Sequence, residues 1–351
     1  MTTKMTTKTK TKMQTQLNPG SSGRSARRAA GALTAAVALT AAWSAFADGS
    51  ANSWYAEDEG AQPPLARAHA AYLEKDWSTM TESLRATLAT PGLDPTATRN
   101  ALALLGRAYE ATDGNLPADW QPPAGVSDLK FTHGRKQEPD GLYYKIQFVA
   151  NVVDRDTVTQ VQVVRWPDTP VLDKAAGLGD YEIGQEEEGD WKFDLEAEQQ
   201  TPLPDGLYLI NFELKDGTRS GGWFVLSDLL ASASPRVDSP AVAQTFSHGN
   251  PELRWEDFRS PEYKSYESRR FHMHVARKIA GAPGYEIPWA MYIEAPDATS
   301  AVVGVDPRGA GVSSLEDDRY WVTFQYLEQR KFGPLKLRRG AQTSRPMIIR
   351  R

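Results

Sequence analysis

Apolar positions between residues 60 and 114 recur at helical spacing. Leu65, Ala68, Tyr72 and Leu73 follow Pro63-Pro64 on one predicted face; Trp77, Met80, Thr81, Leu84 and Leu88 form a second face that stops at Pro91-Gly92. Asp94 followed by Pro95 predicts a capped start for a third helix, with Ala97, Ala101, Leu104, Leu105 and Ala108 inward and Gly114 at its end. Beyond Pro117, Pro122, Pro123 and Gly125 the period changes to two. Runs at 142–149, 158–164, 191–195, 207–214 and 223–226 alternate and are rich in β-branched and aromatic residues, which predicts strands. Lys215-Asp216-Gly217-Thr218 predicts a hairpin turn, and Asp154-Arg155-Asp156 a turn between strands. A break at 232–240 precedes further strands at Leu253-Arg254-Trp255, at Phe271-His272-Met273-His274-Val275, through Val322, Phe324 and Tyr326, and at 346–349. The expected fold is mainly β with a small all-α N-terminal part.

Composition adds an export signal. Residues 1–28 hold Lys4, Lys8, Lys10, Lys12, Arg24, Arg27 and Arg28 without an acid; residues 29–43 are small and apolar, and Ala45-Phe46-Ala47 offers a cleavage site. Residues 1–47 therefore read as a signal peptide, by the general or the twin-arginine route, leading to the periplasm or the extracellular space. The full chain of 351 residues has a net charge of −5; loss of seven basic residues moves it to −12. That balance argues against a general nucleic-acid binder, and no transmembrane segment is expected after cleavage. Absent cysteine excludes disulfides and thiolate chemistry.

Two family resemblances sharpen the organisation. Ala68, Tyr72, the Lys75-Asp76-Trp77 turn, Leu84 and Leu88, followed by Leu105-Gly106-Arg107-Ala108-Tyr109, resemble a tetratricopeptide repeat. The match covers about one and a half repeats, with Met80 and Thr87 where that family prefers alanine. Pro-Asp-Gly-Leu-Tyr occurs at 139–143 and 204–208, and a tyrosine after such a turn resembles the corner of immunoglobulin-like sandwiches. Leu253-Arg254-Trp255, the strand at Phe271 and the approach from Leu315 to Tyr320 resemble a fibronectin type III domain. These resemblances imply a tetratricopeptide-like helical segment at 48–120 and two antiparallel immunoglobulin-like sandwiches. The first spans 121–231; the second, fibronectin type III-like, spans 232–351.

The candidate chemistry is sparse. No nucleophile elbow, phosphate-binding loop or dinucleotide fingerprint occurs, so no catalytic, cofactor-binding or metal residue is assigned. His272 and His274 share a strand face, yet alternation already explains them as the solvent side. The acids of 180–198, including Glu186-Glu187-Glu188, read as a solvated loop and edge strand. The basic C-terminus carries Arg330, Lys331, Lys336, Arg338, Arg339 and Arg345, a candidate partner- or anion-binding patch or a protected sheet edge. Trp321 and Trp166 are the candidates for stacking a sugar.

The expected function is a non-catalytic interaction or scaffolding protein of the cell envelope, partnered by an envelope protein or a surface polymer. One alternative is carbohydrate or surface-polymer binding through exposed aromatics and the basic patch. The other is a hydrolase with an unrecognised carboxylate site.

Overall fold

The computed structural model describes residues 63–138, 141–185, 191–227, 236–256, 268–280, 285–293 and 299–351. The export signal and Glu186-Glu187-Glu188 lie outside the described residues.

Three helices open the fold: α1 (Pro64–Glu74), α2 (Trp77–Leu88) and α3 (Pro95–Ala111). Lys75, at φ 59°, closes α1, and the Asp76 carboxylate accepts from the Thr79 N–H at 3.0 Å to start α2. Asp94 caps α3 as expected, accepting from the N–H groups of Thr96 and Ala97. One expectation fails: Leu73 is 80% exposed, and α1 instead buries Ala68 and Ala71. At 100° per residue Leu73 points about 200° away from Ala71.

The rest of the described chain is strand and connection. The strands are β1 (Asn115–Leu116), β2 (Val126–Glu138), β3 (Gly141–Val152), β4 (Val158–Arg165), β5 (Thr169–Asp173), β6 (Asp180–Gln185), β7 (Trp191–Gln199), β8 (Gly206–Leu214) and β9 (Arg219–Leu226). They continue as β10 (Val237–Ser239), β11 (Gln244–Phe246), β12 (Glu252–Trp255), β13 (Ser268–Lys278), β14 (Tyr285–Ile293), β15 (Ser300–Val302), β16 (Gly309–Gly311), β17 (Asp318–Phe332) and β18 (Leu335–Ile349). An eleven-stranded sheet runs β16-β14-β13-β17-β18-β2-β3-β7-β6, with β1 beside β17 and β11 beside β18. A four-stranded sheet, β5-β4-β8-β9, faces one half of it, where Phe131 meets Phe224 at 4.8 Å and Phe148 meets Phe212 at 5.9 Å. A three-stranded sheet, β10-β12-β15, faces the other half, where Trp255 meets Phe324 at 5.4 Å.

Two apolar cores result. The first joins the helices to β2, β3, β7 and the four-stranded sheet; the second fills the space under β12, β13, β14, β17 and β18. The Tyr208 hydroxyl donates to the Pro204 carbonyl at 2.5 Å, and that of Tyr320 to the Glu316 carbonyl at 3.2 Å, so both tyrosines close a corner four residues back. Tyr143, in the other copy of the pentapeptide, instead lies 5.7 Å from the Lys136 ammonium.

The hairpin β17–β18 serves both cores. Its fifteen-residue strands extend about 50 Å. Tyr320, Val322, Phe324, Tyr326, Met347 and Ile349 belong to the second core, whereas Phe332, Leu335 and Leu337 at the tip belong to the first. The tip is anchored on the helical side through β1, which pairs with β17 at Lys331 and Phe332. In the middle, β18 runs parallel to β2, with Gly340 opposite Gly134. A Cβ on Gly134 would stand 2.2 Å from the Gly340 carbonyl oxygen, so this approach requires glycine.

Candidate functional site

Residues in register across neighbouring strands point to the same face. On the inner face of the large sheet this gives a sequence of rungs. Leu337, Phe131, Phe148 and Leu195 form an apolar rung in the first core. The next is Glu328–Arg339–His133–Ile146, and the one after it Tyr326–Ala341–Arg135–Tyr144. Tyr326 already belongs to the second core, which continues through Phe324. The polar residues of these rungs therefore lie where the first core, reaching Ile146, gives way to the second, reaching Tyr326.

Glu328 is 1% exposed. It accepts from Arg330 at 2.9 Å through Oε1 and from the Tyr326 hydroxyl at 3.2 Å through Oε2. The Arg330 guanidinium lies 5.4 Å from the centre of the Tyr109 ring, which ties α3 to the site. His133 is hemmed in by protein; loss of water, together with the charges of Arg339 and Arg330, pushes its imidazole down to about 3. Nε of Arg135 is buried and has no hydrogen-bond partner among the described residues. A cavity of about 20 Å³, room for about one water, opens among Tyr109, His133, Ser227, Glu328, Arg330 and Arg339. The guanidinium groups of Arg330 and Arg339 thus meet one carboxylate and a neutral imidazole, with Arg135 one rung away. Chemically this arrangement suits a carboxylate, phosphate or sulfate oxygen.

The hairpin divides the six basic residues between the two faces of the sheet. Arg330 and Arg339 reach the inner rungs. Arg345, opposite Val322, is half-buried further along the same face. Lys336 binds Asp128 at 2.5 Å and Arg338 donates to the side-chain amide oxygen of Gln329 at 2.8 Å, both on the outer face. The Lys331 N–H donates to the Gly114 carbonyl at 2.9 Å. Trp166 is half-buried against the first core and donates to the Ala89 carbonyl at 3.1 Å. Trp321 lies on the outer face, edge-on to Tyr285 at 5.9 Å. The structure does not bring these two tryptophans together. His133, Arg135 and Glu328 escaped the sequence reading and Tyr109 entered it only within the repeat resemblance, although Phe131-Thr132-His133-Gly134-Arg135 holds the alternation that places the first two.

A second titratable cluster joins helix to sheet. Arg85 on α2 contacts Glu82 at 3.4 Å and Asp119 at 3.7 Å, and its guanidinium lies 5.2 Å from the centre of the Trp223 ring. Trp223 donates its indole N–H to Asp119 at 3.4 Å. Burial and the hydrogen bond with Asp119 raise Glu82 to about 7. Burial alone would raise Asp119 as well, but the hydrogen bonds from Glu82 and Trp223 and the Arg85 charge outweigh it and hold Asp119 low. Oε1 of Glu82 is buried and has no hydrogen-bond partner among the described residues. Next to this cluster, the Trp120 N–H donates to the Trp223 carbonyl at 2.9 Å, and the Trp120 ring fills the space a Cβ of Gly222 would need.

Residues 60–239 match the family model described as "Protein of unknown function (DUF2861)". No curated protein matches the chain at a significant level. Among solved structures, the chain is similar to the chicken CNTN1 FN1-FN3 domains at 12% identity and a TM-score of 0.21, over 66% of this chain and 68% of that one. It is similar to the Clostridium thermocellum CbhA fibronectin(III)-like modules at 10% and 0.20, over 65% and 92%. It is also similar to the tandem Ig repeats of Dlar at 9% and 0.27, over 64% and 98%. These neighbours are immunoglobulin and fibronectin domain proteins; at such scores they carry no argument about this chain's function.

Proposed function

The chain belongs to the DUF2861 family of proteins of unknown function, and we propose that it is a non-catalytic exported interaction protein that meets an oxygen of an anionic group on an envelope partner at the small cavity bordering its first core. The observation that carries this reading is the polar double rung, in which Arg330 and Arg339 flank Glu328 and a neutral His133 and Arg135 stands one rung away. Export rests on the pattern of residues 1–47. The short helical segment acts as a cap, since about one and a half repeats make no long groove. The two immunoglobulin-like units are its spacing and docking modules, and the shared hairpin holds them in one orientation. The carboxyl pair Glu82–Asp119 supports a clamp better than a hydrolytic pair, because Arg85 and Trp223 already occupy it.

The test places a photo-crosslinking amino acid at Ser227, which lines the cavity, in cells exporting the full chain. The expected result is an adduct with one envelope component that is lost in Arg135→Gln and Arg339→Gln, while both variants keep the parent melting temperature within a few degrees. An adduct that survives both substitutions overturns the proposal, and so does the absence of any adduct.

A further inference from the structure

The cavity beside the polar rungs fits a body of one size. Its volume, about 20 Å³, admits about one water. A phosphate, sulfate or carboxylate therefore brings at most one oxygen to it, whereas a monatomic ion enters whole. Ser227, just beyond the end of β9, lines this space and is 7% exposed. Its Oγ is buried and has no hydrogen-bond partner among the described residues. A native buried hydroxyl in that state calls for a partner, and the neighbouring space is the cavity.

The sign of the occupant follows from the surrounding charges. Arg330 and Arg339 line the cavity from the inner face, and Glu328 is the one carboxylate of its lining. Arg338 borders it too, but its side chain donates to Gln329 on the outer face. The oxygens of Glu328 already accept from Arg330 and from the Tyr326 hydroxyl. The positive charges of Arg339 and Arg330 both push the His133 imidazole down, so this corner favours negative charge although Glu328 is present. The neutral ring adds one N–H donor and no charge. A cation here would face both guanidinium groups. A water would fit but would leave the excess positive charge of the lining unbalanced in a buried place. A halide balances that charge and accepts from several donors without a preferred direction.

We propose that this cavity binds a single chloride ion, held by Arg330, Arg339 and the Ser227 hydroxyl. The ion rests on the reading of the cavity as an anion site and occupies the place that a partner's oxygen would enter. The test uses the purified full chain. Crystals grown with sodium bromide in place of chloride should show one anomalous peak inside the cavity. In solution, the chain should broaden the chloride NMR line saturably. Arg339→Gln should weaken this binding about tenfold and Ser227→Ala about fivefold. Arg107→Gln, which removes the same charge from the exposed side of α3, should leave it unchanged. Circular dichroism verifies that the variants are folded, and Ser227→Ala carries the test if Arg339→Gln does not fold. A cavity holding only water in the bromide crystals overturns the proposal. So does equal broadening by the parent, Arg339→Gln and Ser227→Ala, which marks an adventitious ion only. A chain that forms the envelope adduct in cells yet binds no chloride loses the ion and keeps the docking reading; chloride binding without an adduct does the reverse.

Discussion

Glu82→Gln isolates the clamp between helix and sheet. Glu82 is held near 7 in the folded chain against an ordinary value of 4.5. The folded state therefore binds this proton more tightly than the unfolded state, and stability falls as pH rises from about 4.5 to about 7, then levels off. The full difference corresponds to at most about 3.4 kcal/mol. The Glu82 side chain is 35% exposed and that of Asp119 51%, so solvent screening reduces this to about 1–2 kcal/mol. Glutamine keeps a donor toward Asp119 and removes the titration. At pH 8 the variant should be more stable than the parent by about 1–2 kcal/mol, a rise of about 2–8 °C in Tm; at pH 4.5 the two should coincide. Asp119, held low, works in the opposite sense, its contribution being lost only as pH falls below its ordinary range. Calorimetry of parent, Glu82→Gln, Asp119→Asn and the double variant at both pH values measures the coupling. An equal Tm difference at pH 4.5 and pH 8 would refute the raised titration of Glu82, and a gain at pH 8 that persists undiminished in the Asp119→Asn background would remove Asp119 from its causes.

Two further substitutions probe the joints of the fold. Gly134→Ala forces a Cβ into the Gly340 backbone and should cost about 2 kcal/mol or more, read as a lower denaturation midpoint; an unchanged midpoint would show that β2 and β18 do not approach so closely. Tyr208→Phe removes the hydroxyl that closes the corner onto Pro204 and should cost about 1 kcal/mol in urea unfolding, and a neutral result would remove the corner from the account.

The helices were legible because each carries its own signals: Asp94-Pro95 starts α3, and small or apolar residues at helical spacing mark the buried side. Tyr208 and Trp255 were legible as core aromatics for a similar local reason. By contrast, β2 was missed. Its residues Val126, Leu129 and Phe131 are buried near its start, but His133 and Arg135 take the same face further along, so the apolar alternation fades halfway. The C-terminal strand was recognised only over 346–349 for the same reason. Leu335 and Leu337 alternate inward, then Arg339 stands where an apolar residue would continue the pattern.

That interruption is itself informative. A strand that leaves one core and enters another must cross a stretch where no facing sheet rewards an apolar side chain, and there polar residues occupy the inward positions. Three strands lose their inward apolar period at the same level: Glu328 on β17, Arg339 on β18 and His133 on β2. Local periodicity reports each loss only as the end of a strand. Register turns the three losses into one place, because parallel β2 and β18 are aligned at the Gly134–Gly340 contact. The basic C-terminus therefore divides by parity into inward Arg330 and Arg339 and outward Lys336 and Arg338. A charge count along the sequence cannot make that division, since the hairpin turn at Gly333 and the pairing with a strand some 200 residues earlier decide it.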